Sequence, residues 1–196
     1  MSNNSALTWK QFAQHCLSLS LSSDPPSSFE QDLVRLIERI EPNDTTIEQL
    51  FVAMTEEPIT EYRTHLFLDE ATCRIMLVLL QKDGQIGLHN HPHQHGLIYC
   101  CQGAVCVEGF DLYETDHKEA ILKRVLHATL KPNQHSYLSP QRGNIHSLTG
   151  TQTAWLLDVF IPPLQEEHRT LCQRYEPPYK DLGNELFKAR IIPPPT

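Results

Sequence analysis

The chain has 196 residues, 40% hydrophobic and 20% charged, with 16 Lys and Arg against 24 Asp and Glu for a formal net charge of −8. This acid excess, with no Lys/Arg-rich run, excludes a basic nucleic-acid-binding surface, and no apolar run is long enough to cross a bilayer. The length suits one domain with a sizeable core. Met1 to Lys10 lacks a basic segment followed by an apolar one, so the expected location is cytoplasmic.

Residues 5–22 have Leu7, Phe12, Cys16 and Leu19 near helical spacing and predict an amphipathic helix. Ser22-Ser23-Asp24-Pro25-Pro26 breaks it. Ser27 with Glu30 forms a capping-box pattern ahead of Leu33, Leu36, Ile37 and Ile40, a second helical face. Pro42-Asn43-Asp44 ends that helix, and Thr45 with Glu48 repeats the pattern before Ile47, Leu50, Phe51 and Met54. Residues 1–60 are therefore expected to be helices packed on the remainder of the chain, and residues 61–196 a second unit ending in a proline-rich tail.

From about Tyr62 the period changes. Arg63–Asp69, Cys73–Gln81, His95–Cys101, Val105–Asp111, Ala120–Leu130, Ser136–Leu138, Ile145–Thr149 and Ala154–Ile161 are β-rich runs separated by polar or glycine-containing turns. Many short strands with regular turn signals predict a sandwich or barrel. The expected fold is mainly β: a cupin-like jelly-roll barrel with a short N-terminal helical segment. The stretch after Pro162 reads as irregular, with Pro193-Pro194-Pro195 as an extended tail and the apolar Leu186, Phe187, Ile191 and Ile192 folding back on the barrel. Cys16, Cys73, Cys100, Cys101, Cys106 and Cys172 form no Cys-x-x-Cys pair, which predicts free thiols serving as small hydrophobes.

Four of the 11 histidines, His89, His91, His93 and His95, stand at alternate positions. Imidazole is the commonest protein ligand for transition metals. Side chains at i and i+2 of a strand share a face, so His89 and His91 can reach one ion, and His146 from Gly143-Asn144-Ile145-His146 would complete a three-point grip. Pro92 marks the end of the regular strand; His93 and His95 are second choices that line a pocket, support a ligand or simply pack. The general cupin pattern carries a carboxylate a few residues after His-x-His, and this chain has none there. Three neutral imidazoles leave a metal dicationic, a centre suited to an anionic ligand such as a thiolate. Asp158 lies within the apolar run Ala154–Phe160, where an unpaired carboxylate costs several kcal/mol. It either sits at a strand edge facing water or serves as a pocket carboxylate, orienting a metal-bound histidine or holding a substrate amine.

Three segments together resemble the 2-aminoethanethiol (cysteamine) dioxygenase and plant cysteine oxidase family of thiol dioxygenases. Leu88-His89-Asn90-His91-Pro92 followed by His95-Gly96 is similar to the family's Leu-His-Asp-His-Pro…His-Gly. Gly143-Asn144-Ile145-His146 is similar to its Gly-Asn-Ile-His. Leu157-Asp158-Val159, Pro162-Pro163 and Cys172 are similar to its late Leu-Asp-(Ile/Val)…Pro-Pro-Tyr…Cys. The resemblance runs from about Thr64 to Pro177. It implies mononuclear non-haem Fe(II) on His89, His91 and His146, with Asp158 as a catalytic or amine-binding residue. It also implies addition of both atoms of O2 to a thiol to give a sulfinic acid, the substrates being cysteamine or the N-terminal cysteine of a protein or peptide. The chain departs from the pattern at Leu164, where a tyrosine is expected, and at His93 and Gln94. Arg174 stands where a cross-linking tyrosine would be. The expected partners are the thiol and O2, with no nucleic acid and no membrane, and the closed barrel predicts a monomer. Two alternatives stay open: a dioxygenase of free cysteine or 3-mercaptopropionate, with Arg142 or Arg74 receiving the substrate carboxylate, and a metal-binding cupin without oxygenase activity.

Overall fold

The computed structural model describes residues 6–20, 29–41, 44–56, 58–116 and 118–192. Three helices come first: α1 (Trp9–Ser20), α2 (Phe29–Ile37) and α3 (Thr46–Met54). They precede strands β1 (Tyr62–Asp69), β2 (Arg74–Leu80), β3 (Gln85–Asn90), β4 (His95–Gln102), β5 (Val105–Thr115) and β6 (Glu119–Leu130). Then come β7 (His135–Leu138), β8 (Ile145–Gly150), β9 (Ala154–Ile161), β10 (Arg174–Gly183) and β11 (Leu186–Ile192). The predicted breaker at 22–26, Ser27, Pro42, Asn43, His117 and the tail at 193–195 lie outside the described residues.

Every predicted β run is a strand, and the mainly β barrel is the expected one. β1-β2-β9-β4-β7 form a five-stranded sheet, and β10-β11-β6-β5-β8-β3 close into a barrel. Alternation along β9 sends Leu157, Val159 and Ile161 outward, where they join Phe12, Phe29, Leu33 and Phe51 of the helices in one apolar cluster. Ala154 and Leu156 point the other way and pack with Val78, Ile98, Val107 and Leu148 between the sheets. Each such side chain taken from water stabilises the fold by about 1.5–3 kcal/mol, so the five-stranded sheet is held from both faces. Along β3 and β8, Leu88 and Ile145 join a third cluster with Phe110, Leu122 and Tyr175. Their neighbours His89 and His146 therefore face the opposite side.

Three expectations are corrected. Thr45 makes no side-chain cap on α3. Asp44 takes that role, accepting from the Thr46 N–H at 3.1 Å and from the Trp9 N–H at 2.9 Å, which ties the starts of α3 and α1 together. β3, absent from the β-rich runs because Gly87 and the polar Asn90 interrupt its apolar pattern, is the strand that the alternation of His89 and His91 anticipates, and it ends at Asn90. The stretch after Pro162 is not irregular: it holds a 3-10 turn (Glu166–Leu171) and the β10–β11 hairpin. Pro177 is tolerated because it falls in the register shift between Glu176 and Lys180. Asn184 and Glu185, both at positive φ, make the two-residue turn that suits a hairpin's twist. Leu186, Phe187 and their neighbours do fold back, pairing with β6. Finally, closure removes the edges of the six-stranded set only; β1 and β7 remain the edges of the five-stranded sheet.

Candidate metal centre

β3 and β8 run antiparallel with His89 directly opposite His146, so both imidazoles leave the same face. His91 lies just beyond the end of β3 and is fastened by Asn144. The His91 N–H donates to the Asn144 carbonyl at 3.1 Å and to its Oδ1 at 3.2 Å, while Asn144 Nδ2 donates to the His91 carbonyl at 2.7 Å. One ring nitrogen from each of His89, His91 and His146 lies within 4.8 Å of the other two. The ring centroids stand 4.7, 4.9 and 4.8 Å apart, a nearly equilateral arrangement.

Hydrogen bonds set which nitrogens face the centre. His89 Nδ1 meets the Gly87 carbonyl at 2.8 Å, so it carries the proton and Nε2 keeps a free lone pair. His91 Nδ1 meets Gln94 Oε1 at 3.3 Å, and Gln94 Nε2 is anchored on the Pro162 carbonyl at 3.2 Å. His91 Nε2 then faces His146 Nε2 at 3.1 Å. Two ligands at right angles on an ion with metal–nitrogen distances of about 2.1 Å would sit about 3 Å apart. A cation bound by both lone pairs fits that spacing. The residues present therefore suit a metal held by three neutral imidazoles, with Gln94 where a carboxylate is more usual.

Electrostatics agree. Burial pushes His91 down to about 3, with help from neighbouring His89. Burial also lowers His89 and holds His146 well below the ordinary range, with His91 and His89 adding to the effect. A metal thus meets neutral imidazoles that each keep a lone pair to bind it.

Asp158 follows the inward face of β9. It stands in a cross-strand row with Met76 of β2 and Ile98 of β4, two residues before Phe160, whose ring stacks on His91 at 4.6 Å and 18°. It is buried at 8% exposure, and its Oδ1 has no hydrogen-bond partner. Burial alone raises its carboxyl to about 8. The strand-edge reading is thereby excluded.

These shifts predict a stability optimum for the metal-free protein. Between about 3 and 6.5 the unfolded chain binds a proton at His91 that the folded protein refuses, so stability falls as pH falls, and His89 and His146 act in the same sense. Between 3.8 and about 8 the folded protein keeps a proton on Asp158 that the unfolded chain releases, so stability falls as pH rises. With His95, also lowered by burial, four histidines outweigh one carboxyl below about pH 6.5, and above it the carboxyl leads, with the raised thiols adding to the same trend at higher pH. Urea midpoints of chelator-treated protein should peak near there, and Asp158→Asn should flatten the alkaline limb. A monotonic profile would contradict these assignments.

Phe160 carries no signal in the sequence, and Gly96 enters there only as part of a motif, with no role attached. A Cβ on Gly96 would meet Phe160 Cε1 and Leu138 Cγ, each at 3.0 Å, so this glycine makes room for the ring that backs His91. Gly96→Ala is expected to cost about 1–3 kcal/mol of stability by overpacking and to weaken metal affinity as Phe160 is displaced. Denaturation and metal titration of the variant check both, and unchanged affinity would remove Phe160 from the support of His91.

His93 and His95 lie outside the three-histidine group. His93, exposed and at φ 60°, packs on His168 with ring centroids 4.2 Å apart. His95 Nδ1 meets the Tyr137 hydroxyl. A cavity of about 660 Å³ opens on His89 and His91 and is lined also by Arg74, Met76, Phe160 and Leu164. Arg142 lines a different cavity, of about 440 Å³, on the His146 side. Cys172 borders the larger cavity, and Arg174, opposite His89, occupies the position two residues on. All six cysteines are free.

A search of curated proteins returns no match. Among solved structures, the chain is similar to KdgF from Halomonas sp., at 14% identity and TM-score 0.42 over 56% of this chain and 87% of that one. It is similar to a cupin superfamily protein from Desulfitobacterium hafniense DCB-2, at 12% identity and TM-score 0.43 over 64% and 92%. It is also similar to ectoine synthase from P. lautus, at 14% identity and TM-score 0.43 over 70% and 92%. The PCO_ADO family model matches residues 36–188, a span that takes in both histidine-bearing strands, Asp158 and most of the C-terminal hairpin. With more than half its length so matched, the chain belongs to the PCO_ADO family of thiol dioxygenases.

Proposed function

We propose that the protein is a non-haem Fe(II) thiol dioxygenase that adds both atoms of O2 to cysteamine or to the N-terminal cysteine of a protein or peptide. His89, His91 and His146 hold the iron. The thiol gains two oxygen atoms and becomes a sulfinic acid; sulfur loses four electrons and O2 accepts them, so no further reductant is required. The observation that carries this reading is the neutral donor set in a member of this family. Three imidazoles without a carboxylate leave the dication's charge uncompensated, which favours an incoming thiolate. Iron, when bound, supplies the coordination positions and redox capacity for O2 activation.

The rest belongs to the chain. Gly87 and Gln94 fix the ring tautomers. Asn144 fixes the His91 backbone, and Phe160 shields one face of its ring. Asp158, with an unsatisfied oxygen, accepts the substrate's amine. A paired ammonium draws the carboxyl back to its charged form, because an opposite charge favours ionisation. The test is O2 consumption by protein loaded anaerobically with Fe(II), given cysteamine, free cysteine, 3-mercaptopropionate and a cysteine-first peptide in turn. The reading expects uptake with cysteamine or the peptide and none after zinc replacement. Stable zinc occupancy with no thiol-dependent uptake by the iron form would overturn it.

A further inference from the structure

Three guanidinium groups, those of Arg74, Arg169 and Arg174, line the cavity that opens on His89 and His91, and among the described residues no Asp or Glu lines it. This wall occurs in a chain where acids outnumber bases 24 to 16. The arginines come from three separate elements: β2, the 3-10 turn and β10. Register places two of them relative to the metal ligands. Arg174 is directly opposite His89 across the β10–β3 pair, so the two side chains leave the same face. Arg74 is opposite Phe160, the residue stacked on His91.

The pairing of these cations leaves them able to bind. Arg74 uses Nε for Asp69 at 2.8 Å, and Arg169 uses Nε for Glu166 at 2.7 Å. Neither acid lines the cavity. Both contacts leave the terminal nitrogens, which carry four of the five donors in the guanidinium fork. Arg174 meets no carboxylate within ion-pair distance among the described residues. Arg169 and Arg174 are exposed and Arg74 is half-buried, so the charges mark the mouth, while Met76, Phe160 and Leu164 line the rest. Arginine stays charged at any working pH and matches a carboxylate with two parallel hydrogen bonds. At about 660 Å³, the cavity is in the range that takes drug-sized ligands, well beyond an aminoethanethiol.

Resting on the thiol dioxygenase reading, we infer that this wall selects, among N-terminal-cysteine substrates, those with an acidic side chain downstream of the cysteine.

Binding and turnover test it separately. Under anaerobic conditions, calorimetry on the Fe(II)-loaded protein would compare 3-mercaptopropionate with its amide, and Cys-Gly-Asp-Glu with Cys-Gly-Asn-Gln. The acidic peptide should bind about tenfold more tightly than its amide. That preference should shrink with added salt and be lost in Arg174→Gln, with Arg74→Gln reducing it. Preference confined to the mercapto acid would overturn the inference in favour of a small-acid substrate. Equal binding of the two peptides, or a preference that survives both substitutions, would also overturn it. Acid-selective binding without O2 consumption by any thiol would instead defeat the proposed activity. Consumption that runs equally well on acid and amide, with equal binding, would preserve the activity and defeat the selectivity.

Discussion

His146→Ala should strip the protein of its metal and its activity together. His146 is buried at 5% exposure, and its Nε2 faces His91 Nε2 at 3.1 Å, so the substitution removes a donor from the closest edge of the triangle. Loss of a group that merely supports a ligand costs 10–100-fold in affinity; loss of the ligand itself should cost at least about 100-fold. At mildly acid pH the linkage cost of the metal-free form should shrink as well, since one fewer buried imidazole must be kept neutral. Metal content after gel filtration and anaerobic Fe(II) titration give the first readout, and urea denaturation the second. His93→Ala is the control: its ring packs on His168, away from the centre, and its metal content should match the parent. Equal metal loss in both variants would contradict the ligand set.

Asp158→Asn should separate catalysis from metal binding. The carboxyl touches no partner through Oδ1, and its row-mates Met76 and Ile98 are apolar. An amide of the same shape therefore preserves packing while removing the charge that an amine would evoke. Turnover should fall by about 100-fold or more, the range associated with a positioned acid–base group, while iron content stays near that of the parent. A thiol lacking an amine should lose less than cysteamine does, because the missing interaction is with the amine. Parallel loss of iron and turnover would reassign Asp158 to the support of the histidines, and an unchanged rate would remove it from the site.

Much of the fold and the metal centre is legible in the chain because the causes are local. The change from helical to strand spacing near Tyr62 and the alternation of His89 and His91 arise within a few residues. The pairing of His89 with the distant His146 is readable only through motif spacing, and the β3–β8 register supplies its physical reason. The supports are harder to see. Phe160 reads as one more apolar strand residue until β9 is laid against β4 and β2, and Gly96 gains its meaning only from the ring it admits. Gln94 stands out as the missing carboxylate, but its use as a brace between His91 and Pro162 depends on the loop at positive φ His93. The C-terminal hairpin is hidden by its prolines, whose cost is absorbed at a register shift. Arg174 becomes visible as a cavity residue only once that hairpin closes the barrel against β3.

Isotopically labelled dioxygen tests the proposed dioxygenation at its defining step. The Fe(II)-loaded protein would be given cysteamine and a cysteine-first peptide under the labelled gas, and the products weighed. The product should be a sulfinic acid in which both new oxygen atoms carry the label, abolished by His146→Ala and retained by His93→Ala. A disulfide, a singly labelled product, or no oxygenated thiol despite full iron occupancy would contradict it.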